Sequence, residues 1–219
     1  GNGKSDEAGG GHAHAGAMFY QGGAWPERYR DVLFMNNIHG QRLNTDLLEP
    51  VGSGYVGHHG PDFLLTGDQA SQILNMRNGP DGQVLMIDWY DMQACHRPEV
   101  EVHDRSNGRI YKISFGDSRP VTVDLRKLDD LQLAELCLND NDWYVRHSRR
   151  LLQERAKQRK IDRAAIERLV EIATTHSEES RRLRAIWARL PGNYKNDYSD
   201  LTLFFSMGGL RLTARLDRT

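Results

Sequence analysis

Two stretches of the chain gather residues capable of chemistry. His58, His59 and Asp62 lie in HHGPDF, between glycines that free the backbone. A histidine pair beside a carboxylate can hold a metal, or share a proton with a substrate hydroxyl. The same six residues also read as a Gly-Pro turn whose histidines pack and hydrogen-bond structurally. Asp88, Asp91, His96, His103, Asp104 and Arg105 follow on an excursion of about 19 residues between two strand-sized runs, longer than common connections. Asp88 closes the first of those runs, where a carboxylate either binds backbone amides and fixes a turn or serves a pocket in catalysis or binding. His96 and Arg105 are the stronger binding candidates on the excursion. Arg105 suits an acidic ligand through bidentate bonds, or an internal ion pair with Asp104 or Glu101. His12 and His14 alternate with small residues, so in a strand they share one face.

Several classes are excluded by what the sequence lacks. It has no Gly-rich phosphate cradle, nucleophile elbow or zinc-protease motif. Its two cysteines, Cys95 and Cys137, are too few for a disulfide framework or a four-cysteine zinc site. With 29 basic and 30 acidic residues among 219, the near-neutral balance argues against a nucleic-acid partner. No apolar stretch approaches the roughly 20 residues that span a bilayer. The chain opens on GNGKSDEAGGGHAHAG, without Met or a secretory signal, and is expected to be an internal piece of something longer.

The elements that position these residues change character near residue 114. Residues 1–113 hold 17 of the 21 glycines and seven of the nine histidines, with nine basic residues against fourteen acidic. Their apolar runs are strand-sized: Ala17–Tyr20, Val32–Met35, Val84–Ile87 and Arg109–Ile113. VLFMNN at 32–37 repeats as VLMIDW at 84–89, an offset of 52 residues, and each copy precedes a Gly-led run, GQRLN or GRIYK. GPDG at 79–82 is a tight-turn signature. A strand-pair unit recurring at about 40–55 residues suggests β-propeller blades.

Residues 114–219 shift to a helical period. One short helix is expected around Leu131–Leu138 with Asp129 or Asp130 as N-cap, and a second behind Asn141-Asp142 carries Val145, Ser148, Leu151 and Leu152. A third runs from Asp162 to about Thr175, and a fourth covers Glu178–Leu190 with Leu183, Ile186 and Trp187 as its stripe. Paired amphipathic helices with short links indicate an α-solenoid. The expected division is a partial propeller of about two blades over 1–115, helical repeats over 116–190, and an unassigned tail over 191–219.

The ordered strings HAGAMFYQGGAWPERYRDVLFMNNIHGQRLN, GSGYVGHHGPDFLL, GPDGQVLMIDWYD and CHRPEVEVHDRSNGRIYKI resemble the C-terminal propeller blades of the membrane-bound dehydrogenases of planctomycetes, the PVC-type haem-binding family. DWYVRHSRRLLQERA at 142–156 is similar to the first HEAT-like repeat behind that propeller, with Asp142, Val145 and Arg146 in the usual pattern. The resemblance implies a propeller related to soluble quinoprotein glucose and sorbosone dehydrogenases. It also implies an exported, periplasmic or membrane-associated parent that oxidises a sugar or alcohol, with a quinone of the PQQ type and calcium as cofactors. The remaining blades and a c-type haem domain are the implied partners, and Arg105 would face a carboxylated quinone. In the relatives the catalytic histidine and the calcium-binding turn lie in earlier blades, so this chain is not expected to turn over alone. Covalent haem is not expected on this segment either: Cys95-His96 supplies half of Cys-x-x-Cys-His, but position 92 is Met. A non-catalytic propeller and helical module that binds glycans or a protein is the alternative function.

Overall fold

The computed structural model describes residues 13–92, 106–159 and 161–189. It consists of antiparallel sheets followed by helices. Its two compact units are Gly1–Thr122 with Asp140–Trp143, and Val123–Asn139 with Tyr144–Thr219. Among the described residues, no helix is long and apolar enough to cross a membrane.

The first unit contains two meanders. In one, β1 (His14–Phe19), β2 (Leu33–Asn37), β3 (Arg42–Val51) and β4 (Gly54–His59) pair in sequence order. The short β5 (Leu64–Leu65) pairs with Arg42 and Leu43 at the start of β3. In the other, β6 (Ile73–Asn78), β7 (Val84–Asp88) and β8 (Arg109–Ile113) pair likewise. The two copies of the repeated hexapeptide supply β2 and β7, each the second strand of its meander and flanked on both sides by partners. A bulge also recurs at the same place. In β1 the register shifts between Ala15 and Met18; in β6 it shifts between Ile73 and Asn75. Both irregularities lie opposite matching positions of the hexapeptide, Asn36 and Asp88.

One apolar cluster joins the meanders: Met18, Tyr20, Trp25, Phe34 and Leu43 with Ile73, Met76, Val84 and Met86. Trp25 stacks on Tyr20 at 4.5 Å and on Phe63 at 5.3 Å, with Tyr29 and Phe34 edge-on. Its indole Nε1 donates to Gln83 Oε1 at 2.9 Å. The Tyr20 hydroxyl accepts from the backbone of Ala24 and Trp25 at 2.8 and 2.7 Å and donates to Gly82 O at 2.9 Å. A buried hydroxyl with three partners is fully satisfied, so this aromatic pins the Gly-rich 20–25 segment to the GPDG turn. The approach there is too close for a side chain: a Cβ on Gly22 would lie 2.2 Å from Gly82 O. Asn141 seals the same turn, donating to Gly79 O and Pro80 O at 2.9 and 3.1 Å.

The second unit begins with α1 (Asp130–Glu135), closed by a capping box in which Asp129 and Gln132 exchange backbone bonds. Then come α2 (Asp142–Gln158), α3 (Arg163–Thr175) and α4 (Glu179–Arg189); the first two residues of α2 group with the sheets. Helix α2 buries Val145, Ser148, Leu151 and Leu152, the face its periodicity indicates. Helix α4 differs from the sequence expectation. Leu183 and Trp187 are exposed, while Arg181 and Arg184 are 8% exposed. The reason is hydrogen bonding: Arg181 donates to Leu138 O and Asn139 O at 2.6 and 2.8 Å, and Arg184 to Asn139 O at 3.1 Å. These guanidinium groups make charge-assisted bonds to the carbonyls at the end of the short helical turn Leu136–Leu138.

Candidate functional site

The strongest polar constellation lies on one face of the four-stranded meander. Alternation along β3 puts Arg42, Asn44 and Asp46 on the same side, and the register sets Asn37 opposite Arg42, His14 opposite Asn37 and His59 opposite Asp46. The chain then turns back. Gly60 N donates to Thr45 O at 2.7 Å, and Thr45 Oγ1 donates to Pro61 O at 2.5 Å. That turn delivers Asp62 over the face. Its Oδ2 accepts from Arg42 Nη1 and its Oδ1 from Asn44 Nδ2, both at 2.7 Å.

The network continues inward. Asn44 Oδ1 accepts from Asn37 Nδ2 at 3.0 Å and lies 3.2 Å from His14 Nε2. Asn37 and Asn44 are buried, and burying amides is tolerable only because they hydrogen-bond. Outward, the His59 ring lies between two carboxylates. Nδ1 is 3.6 Å from Asp46 Oδ1, and Nε2 is 3.7 Å from Asp62 Oδ1. The ring is about one-third exposed. Both separations are longer than a hydrogen bond, so the arrangement presents the ring to a ligand hydroxyl beside two carboxylates, of which Asp62 is fixed by Arg42 and Asn44. It is not a metal centre: the carboxylates flank opposite ring nitrogens and cannot converge with the ring on one ion. Among the described residues, no three His, Cys, Asp or Glu side chains form a ligand set.

Of the residues singled out by sequence, His59 and Asp62 come together, and both histidines of HHGPDF end a strand rather than sit in a loop. The pleat then separates them. His58 points to the opposite face, with Nε2 3.1 Å from Glu49 Oε2, and is exposed. Asp88 belongs to the other meander, where it is buried and accepts from Gln72 N at 2.7 Å, Tyr90 N at 3.0 Å and Ser71 Oγ at 3.1 Å. Both its oxygens are occupied in holding the turn around β7. His96 and Arg105 lie outside the described residues, as do His12, Cys95, His103, Asp104 and the 191–219 tail. Arg42, Asn44 and Asp46 were missed from sequence. The signal was there in R-x-N-x-D at 42–46, four residues after the first hexapeptide and with the period of a strand.

A two-meander β unit with a polar, histidine-bearing face, followed by a helical unit, is the class these observations define. Residues 2–117 match the family described as a domain of unknown function, DUF7133, and the chain belongs to that family. No curated protein and no solved structure matches the chain.

Proposed function

We propose that the chain contributes about two blades of a β-propeller and the first HEAT-like helices to an exported protein that oxidises a sugar or alcohol with a quinone-type cofactor. The carrying observation is the repetition. One hexapeptide forms the second strand of two successive antiparallel meanders, each with a bulge near the matching position, as expected of units built to one plan. The outward side of β7 and β8 supports the same reading: Leu85, Ile87 and Ile110 are 43%, 43% and 74% exposed. A further sheet would cover them.

In this reading the chain shapes a pocket wall. His59 and Asp62, the latter fixed by Arg42 and Asn44, line that wall and meet a substrate hydroxyl, while the catalytic histidine belongs to an earlier blade. The described residues offer no cluster that fits calcium, so no step is assigned to a metal or quinone held by this chain. Those groups belong to other blades, and haem to a separate domain. The test is dye-coupled oxidation over a sugar and alcohol panel, with calcium and added quinone, comparing this chain with the whole parent protein. Turnover by the parent alone is the expected result. No turnover by a folded parent would favour the second reading, a glycan- or protein-binding module, for which the exposed apolar hairpin of Leu47, Leu48, Val51, Tyr55 and Val56 speaks.

A further inference from the structure

The helical unit exposes apolar and basic side chains next to one another. On α4, Leu183 and Trp187 lie one turn apart and are 39% and 48% exposed. On α2, Arg146, Arg149, Arg150 and Gln153 form a stripe at helical spacing, and that stripe reaches Trp187. The Arg149 guanidinium stands over the indole, 5.7 Å from the ring centroid. Gln153 Nε2 donates to Trp187 O at 3.1 Å. Two outward apolar groups on one helix therefore border a run of arginines on its neighbour.

Most carboxylates of the unit are committed elsewhere. Asp130 holds Arg155 and Arg159, Glu135 and Glu171 hold Arg168, Glu167 holds Arg163, and Glu178 holds Arg181. Among the described residues, no carboxylate pairs with Arg149. Arg150 meets Glu154 at 3.4 Å, with both side chains more than half exposed, a pair that contributes little and exchanges readily. The patch is therefore positive, and Leu183 and Trp187 sit beside it at the i, i+4 spacing against which a helix packs. We propose that this face docks an acidic amphipathic segment of a partner protein: its apolar side chains cover Leu183 and the Trp187 ring, and its carboxylates meet Arg149 and Arg150. Guanidinium forks suit carboxylates through paired bonds, and tryptophan and arginine are the residues that carry most energy at protein interfaces. A nucleic acid or an anionic membrane fits less well. A membrane surface calls for a cluster of about four to eight basic residues. Here Glu154 lies among the arginines, and Glu179 stands one turn before Leu183. The docking face holds whether the parent is an oxidoreductase or a binding module.

The test is fluorescence anisotropy with the full chain and a labelled synthetic peptide of about 16 residues, Leu and Phe at i, i+3, i+4 and i+7 and Glu elsewhere. One control peptide carries Lys in place of Glu, and a second scrambles the acidic sequence. The acidic peptide should bind saturably, and less tightly as salt rises from about 50 to about 500 mM. Trp187→Ala should weaken it about ten-fold and Arg149→Gln about three- to five-fold. Arg163→Gln, on α3 and already paired with Glu167, should leave it unchanged. Absence of saturable binding, equal binding of either control peptide, or affinity unmoved by both patch variants overturns the proposal. So does tighter binding of phosphatidylserine vesicles or single-stranded DNA that is lost in Arg149→Gln, which would give the face to those ligands instead. Should Trp187→Ala lower the melting temperature, Arg149→Glu decides. Reversing that charge must weaken the acidic peptide and strengthen the Lys peptide, an exchange that simple loss of structure does not produce.

Discussion

Asp130 is the residue on which the helical unit depends most visibly, and its replacement by Asn tests the reasoning used throughout. The carboxylate has no exposed surface. It accepts from Arg155 Nη1 at 2.9 Å, from Arg159 Nη1 and Nη2 at 2.8 Å, and from Asp162 N at 3.1 Å, tying α1 to the end of α2 and the start of α3. Removing one partner of a buried ion pair typically costs about 3–5 kcal/mol. Here the guanidinium groups are 20% and 47% exposed and can turn to water, so the expected loss for Asp130→Asn is nearer 2–3 kcal/mol. With a urea slope of about 1–1.5 kcal/mol/M for a unit of this size, the midpoint followed by helical circular dichroism should fall by about 2 M. Acid gives a second signature. Burial alone would raise the Asp130 carboxyl, but Arg159, the Asp162 amide and Arg155 outweigh it and hold it below the usual range. A depressed folded value means that the contribution is fully present above about pH 4, the unfolded value, and is lost as pH falls through the folded one. Wild type should therefore lose stability on acidification more steeply than the variant. A loss under about 1 kcal/mol, or parallel acid profiles, would refute the account.

Three further outcomes follow from the same geometry. Tyr20→Phe strands two backbone N–H groups and a carbonyl, at about 2–4 kcal/mol in total, read as a lower urea midpoint in near-ultraviolet circular dichroism. Burial raises the Tyr20 hydroxyl above its ordinary value, although the Trp25 and Ala24 amides oppose it; wild type should thus lose stability as pH rises past about 10, and the Phe variant should not share that loss. Gly82→Ala would place a Cβ 2.5 Å from Gly22 O at a φ of +74°, with an expected cost of about 2–4 kcal/mol; a melting temperature within a degree of wild type would contradict the close approach. Burial pushes the Cys137 thiol up to about 11. In a Cys95→Ser background it should resist a thiol reagent at pH 8 until urea unfolds the helices, and reaction within tenfold of a free thiol in the native state would count against its burial.

The strands legible in the sequence were those whose runs were apolar. The hexapeptide repeat marks β2 and β7 because both are inner strands, paired on both edges, with one residue in two turned into the core. Strand β4 was hidden because nothing in GYVGHH needs to alternate: all six residues are exposed, so burial imposes no period on them, and glycine and histidine read as turn. In the helices, a single face could be read correctly in α2 and wrongly in α4 for one reason. Periodicity locates a stripe but not what the stripe meets. Arg181 and Arg184 of α4 bond the carbonyls of Leu138 and Asn139, and these charge-assisted bonds go with a helix whose Leu183 and Trp187 face outward.

The same limit governs the polar face. Adjacent histidines suggest a pair to the eye, yet in a strand neighbours point apart, and His58 and His59 serve different carboxylates on opposite faces. The partners of His59 are Asp46, thirteen positions earlier and opposite it across the ladder, and Asp62, returned by a Gly-Pro turn. Only knowledge of the β3–β4 register brings these three together. A one-residue slip would put His58 where His59 stands. The register of the β3–β4 hairpin is fixed locally, by the Thr45–Gly60 and Thr45–Pro61 bonds at its base. Gly60 has no room for a side chain, since a Cβ there would lie 2.6 Å from Thr45 Oγ1. Threonine 45 and glycine 60 touch no candidate chemistry themselves, yet they determine which histidine meets the two carboxylates.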